Sequence, residues 1–71
     1  MAVDNIAIKD AIDVLDKLRP VLNDTMADVD TYKDESEDEA QQDKLQTAWD
    51  ALDTAYAAVE EAINALGEAR I

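Results

Sequence analysis

Apolar side chains recur along this chain at helical rather than strand spacing. In the first half Ile8, Leu15, Leu22 and Val29 form a row seven residues apart, with Ala11, Leu18, Thr25 and Tyr32 three positions on and Ile12 and Met26 four positions on. One amphipathic helix over about 5–33 accounts for all of them. In the second half Leu45, Leu52, Val59 and Leu66 make one row, Ala48, Ala55, Ala62 and Ala69 a second, and Trp49, Tyr56 and Ile63 a third, which predicts a helix over about 37–67. Helices of this size are roughly 45 Å long at the α-helical rise. Two of equal length joined by a short turn fold back on each other, so the expected fold class is all-α, an antiparallel helical hairpin forming one domain over 1–71.

Local signals place the ends. Asp4 suits the N-cap of the first helix, with Val3 and Ile8 as a hydrophobic staple around it. Ser36-Glu37-Asp38-Glu39 has the form of a capping box and puts an acidic turn at 34–36. Gly67 marks the expected end of the second helix, with Glu68 to Ile71 as a fraying tail. Pro20 admits two readings. It either ends one helix at Arg19 and starts another, giving three helices, or kinks a continuous helix; the unbroken phase from Leu15 to Leu22 favours the kinked helix.

The first helix is apolar on more than one stripe, since Val14 and Val21 widen it on one side and Ile12 and Met26 on the other. A lone hairpin covers one stripe per helix, so a second copy is the expected cover, giving a dimeric four-helix bundle. The apolar interface residues predicted for it are Ile12, Val14, Val21, Met26, Trp49, Tyr56 and Ile63. In outline such a dimer resembles small hairpin regulators of the plasmid RNA-binding type and compact helical hairpins that phages direct at host proteins, with no motif matched residue by residue.

Composition narrows the function. The 71 residues carry 18 Asp and Glu against 6 Lys and Arg, a net charge of -12. Phosphate backbones and anionic leaflets repel such a chain, so direct nucleic-acid or membrane binding is not expected. No basic leader segment and no long apolar run occurs, which predicts a soluble cytoplasmic protein, in the host cytoplasm if it is phage-encoded. There is no Cys and no His, Ser36 is the sole serine, and no glycine-rich phosphate loop exists; no enzyme activity, catalytic residue or cofactor is expected. Asp34, Ser36 and Asp38 imitate the first positions of a calcium loop, but Glu39 stands where glycine is needed and Leu45 where the bidentate Glu belongs, so no metal site is predicted.

The acidity is uneven. Residues 1–34 have a net charge of -4 and residues 35–71 a net charge of -8. Asp34, Glu35, Glu37, Asp38 and Glu39 crowd the turn, and Asp43, Asp50, Asp53, Glu60 and Glu61 follow on the second helix, which has no Lys or Arg between Leu45 and Ala69. These ten are the candidate partner-binding face. Like charges destabilise a compact chain, so the excess implies a basic protein partner, a salt-rich cytoplasm or a solubility role. The function expected is that of a non-enzymatic acidic module occluding a basic surface of a protein, in the manner of the nucleic-acid mimics of phages and mobile elements. The alternative is a structural or adaptor subunit assembling through its apolar helix face. Asp13 and Lys17 are expected to pair along the outer face of the first helix.

Overall fold

The computed structural model describes residues 3–70, and among them there are two helices and no strand. Met1, Ala2 and Ile71, part of the leader and tail readings, lie outside the described residues. Helix α1 spans Asn5–Glu35 and helix α2 spans Glu39–Glu68, packed antiparallel as a rod of 55 × 15 × 13 Å.

Most side chains withdrawn from solvent follow one rule, with Gln46, Ala55, Glu60 and Ala62 beside it. In α1 they are Asn5, Ile8, Ile12, Leu15, Arg19, Leu22, Met26, Val29 and Lys33, spaced alternately three and four residues apart. In α2 the same spacing runs through Gln42, Leu45, Trp49, Leu52, Tyr56, Val59, Ile63 and Leu66. This is the seam of a two-stranded antiparallel coiled coil, in which a period of 3.5 keeps one stripe of each helix on its partner. Two of the three rows read in each half form the seam. The row of Ala11, Leu18, Thr25 and Tyr32 stays exposed, and in the alanine row only Ala55 and Ala62 are half-buried.

Asp4 caps α1 as its side chain predicts, accepting the Ile6 amide at 2.9 Å, while Val3 remains exposed. The helix runs without interruption through Pro20, which sits on the exposed side, so the three-helix reading does not hold. It continues two residues beyond the predicted end. Ser36 is therefore the C-cap of α1, its amide donating to the carbonyls of Tyr32 and Lys33 at 3.0 and 3.3 Å. Asp38 takes the N-cap of α2, accepting from the amides of Ala40 at 2.9 Å and Gln41 at 3.2 Å. The predicted box of Ser36 with Glu39 does not form, because the longer α1 uses Ser36 first. Instead the Ser36 hydroxyl donates to Gln41 Oε1 at 2.7 Å, the Asp38 amide donates to Ser36 Oγ, and the Gln42 side-chain amide donates to the Ser36 carbonyl.

Gly67 is the penultimate residue of α2, which ends at Glu68, one residue beyond the predicted end. No glycine has positive φ, and Ala69 caps the helix in an αR conformation with its amide bonded to the Ala65 and Leu66 carbonyls. The helix has no need of a left-handed residue to stop. Thr25, Thr31, Thr47 and Thr54, inside the helices, satisfy their hydroxyls by donating to the carbonyls four residues back.

Candidate interaction surfaces

The two flanks of the seam have opposite chemistry. In a right-handed helix the residue following a seam position projects to one side and the residue preceding it to the other. Reversing a helix end for end and facing it toward its partner restores the same sides, so the "following" flanks of α1 and α2 lie on one side of the hairpin and the "preceding" flanks on the other.

The following flank is acidic. On α1 it bears Asp13, Asp16, Asp30 and Asp34, and on α2 Glu39, Asp43, Asp50, Asp53 and Glu60, with Lys9 as its one cation. The cross-helix polar contacts lie here. Arg19, at a seam position, donates to Asp16 at 3.1 Å and to Glu60 at 3.4 Å, and Lys33 donates to Gln46 Oε1. Arg19 thus bridges two carboxylates that face each other across the seam. The Tyr56 hydroxyl first, and Asp16 after it, raise the guanidinium pKa above its usual value. Its Nε is buried and has no partner. Asp50 accepts from the Gln46 side chain at 2.9 Å.

Two shallow depressions of about 320 Å³ each open on this flank. One is lined by Asp16, Arg19, Pro20, Asn23 and Tyr56, the other by Asn23, Asp24, Met26, Ala27, Asp30 and Trp49. Among the described residues no three His, Cys, Asp or Glu side chains converge to hold a metal ion.

Of the ten acids predicted as a face, Asp34, Glu39, Asp43, Asp50, Asp53 and Glu60 are brought together on this flank. Asp38 is committed to its cap, Glu37 stands in the linker, Glu35 ends α1 on the opposite flank, and Glu61 lies on the back of α2. The sequence reading missed Asp13, Asp16 and Asp30. Their signal was that each directly follows a seam residue, Ile12, Leu15 or Val29. Asp13 also pairs differently from expectation, turning back to Lys9 at 3.1 Å instead of forward to Lys17, in keeping with the tilt of helical side chains toward the N-terminus.

The preceding flank is apolar. On α1 it carries Ala7, Ala11, Val14, Leu18, Val21 and Thr25, and on α2 Ala48, Ala51, Ala55, Ala58, Ala62, Ala65 and Ala69, with no charged side chain in either run; toward the turn the same flank bears Asp28, Tyr32 and Glu35 on α1 and Lys44 on α2. Val14 and Val21 are thus the predicted interface residues left open, at 60 and 56% exposure. Ile12, Met26, Trp49, Tyr56 and Ile63 belong to the seam within one hairpin. Trp49 and Tyr56 therefore hold α1 to α2.

No family model, curated protein or solved structure matches the chain. No helix is long and apolar enough to cross a membrane among the described residues.

Proposed function

We propose that this chain is a non-enzymatic acidic interaction module that binds and occludes a basic surface on a partner protein, working as a pair of hairpins in a four-helix bundle with its acidic flanks outward. The observation that carries this reading is the segregation of nine carboxylates onto one flank with a single lysine among them. A charge excess serving solubility alone would not need sorting by side.

Density supports a mimic of nucleic acid. The flank's carboxylates, taken at their levels along the antiparallel pair, span roughly 35 Å of helix at the α-helical rise, or about one per 4 Å. One strand of duplex DNA presents a phosphate every 3.4 Å or so along the axis. A groove that neutralises phosphates with Lys and Arg would meet a comparable line of charge on a preformed rod, with steering at long range and strong dependence on salt.

The test begins with capture of the partner on immobilised protein and elution in salt steps. Its affinity is then measured against Asp30→Lys/Asp50→Lys/Asp53→Lys and, as a same-helix control off the flank, Glu61→Lys. The triple reversal is expected to weaken binding at least tenfold and to flatten its salt dependence, while Glu61→Lys changes little. Unchanged affinity and salt slope in the triple variant would refute the proposal.

A second reading, a structural or adaptor subunit, is favoured by the open apolar flank. It no longer rests on Trp49, Tyr56 and Ile63, which are spent within the hairpin.

A further inference from the structure

Ile8 is the one side chain that reaches the buried range among the described residues, at 9% exposure. The rest of the seam is half-buried, so a single hairpin has little interior. Its surface is correspondingly large. The chain exposes 5329 Å², whereas a compact monomer of 7.8 kDa exposes about 4,400 Å². The surplus, about 900 Å², is close to the roughly 800 Å² that each partner contributes to a standard protein interface.

The surplus has a location. The large apolar side chains left exposed, Val3, Ile6, Val14, Leu18, Val21 and Tyr32, all belong to the α1 side of the molecule. Three of them, Val14, Leu18 and Val21, lie on the preceding flank beside seven alanines of α2 at the same alternating spacing, and Tyr32 lies on it nearer the turn, past Asp28. Bulky side chains on one helix and a bare alanine track on its neighbour make a face with both protrusions and room to receive them.

We infer that the occupant of this apolar flank is a second copy of the same chain, seated face to face about a two-fold axis. This rests on the paired-hairpin part of the proposed function and names the surface that makes the pair. Charge selects the occupant. Two copies meeting through the preceding flanks bring together surfaces free of charge over residues 7–25 and 48–69, leave Asp28, Glu35 and Lys44 at the turn end of the face, and set both acidic flanks on the outside. Meeting through the following flanks would press nine carboxylates against nine. A two-fold interface needs one self-complementary patch, and this flank supplies both large and small halves of one.

The test uses the chain alone, without any basic partner, so its failure leaves the carboxylate reading standing and failure of that reading leaves this one. Sedimentation equilibrium is expected to give twice the 7.8 kDa chain mass, with a melting temperature that rises with protein concentration. Leu18→Ala/Val21→Ala removes bulk from the flank while raising helix propensity, so it spares the hairpin. It is expected to weaken self-association at least tenfold with helical circular dichroism retained. Asp50→Lys, on the other flank, is expected to leave the dimer intact. A native chain that sediments at its monomer mass at about 100 µM, a concentration at which a specific interface of this size is populated, would overturn the inference. So would a double-alanine variant that self-associates as tightly as the native chain.

Discussion

Arg19 shows how much one residue can carry in a seam this shallow. It occupies a position that a leucine or methionine would fill, yet it bridges Asp16 and Glu60 and leans on Tyr56. The bridge spans partners of 58 and 45% side-chain exposure, where water screens the attraction and a pair contributes less than about 1 kcal/mol. Stability is thus not the strongest reason for an arginine here. It relieves repulsion where two acidic rows come closest, and it ties α1 to α2 at one level. A double-mutant cycle on Arg19→Met and Glu60→Gln is expected to give a coupling below about 1 kcal/mol, shrinking further at high salt. Chemical denaturation of the four proteins measures it, and a coupling above about 2 kcal/mol would mean that the bridge is drier than its exposure implies.

At the scale of the helices, Pro20 is the feature most open to improvement. It lacks the amide that would bond the Asp16 carbonyl, and α1 continues past it because its neighbours on the seam, Arg19 and Leu22, keep the helix on α2. Pro20→Ala restores that hydrogen bond at an exposed position and is expected to stabilise the hairpin by about 1–3 kcal/mol, read from the shift in the denaturation midpoint. The helices themselves were legible in the sequence, since a spacing of three and four maintained over eight or nine positions admits hardly any other structure. Their ends were less so. Ser36 reads equally well as the end of one helix or the start of the next, and only the run of α1 to Glu35 decides it, leaving Asp38 as the cap. Gly67 stands one residue before the end of α2 but supplies no left-handed cap there. A Cβ there would meet nothing within 4 Å, so the glycine answers neither a close approach nor a left-handed turn.

The site was legible as residues but not as a surface. Asp50, Asp53 and Glu60 stand out as acids without basic relief, yet Glu61, adjacent to Glu60, falls on the back of α2. Sorting them requires knowing which stripe is the seam. The same knowledge turns Trp49 and Tyr56 from an outward ridge into the hold between the helices, and leaves Val14, Leu18 and Val21 as the open face. Aromatic bulk attracts attention in a sequence, but the alanine track beside those three residues is what leaves the face open.

For the whole molecule, the repulsion that accompanies a net charge of -12 is the feature most responsive to solution conditions. Three ion pairs relieve it among the described residues, all at partly exposed side chains, and two of them share Arg19. Screening therefore weakens few attractions and many repulsions, because successive carboxylates on the acidic flank, about 4 Å apart in helical rise, are spaced more closely than the Debye length of about 8 Å at physiological ionic strength. Added sodium chloride should raise the melting temperature. A relief of about 1 kcal/mol corresponds to roughly 4–8 °C for a domain of this size. Asp30→Asn/Asp50→Asn/Asp53→Asn, which removes charge without adding any, should reproduce part of that rise at low salt and respond less to further salt. Thermal melts monitored by circular dichroism, all at one protein concentration so that the concentration dependence of a dimer is held constant, make the comparison. A melting temperature flat or falling with salt would show that the flank's charges are balanced locally. The segregation of carboxylates would then carry no electrostatic cost in the folded state.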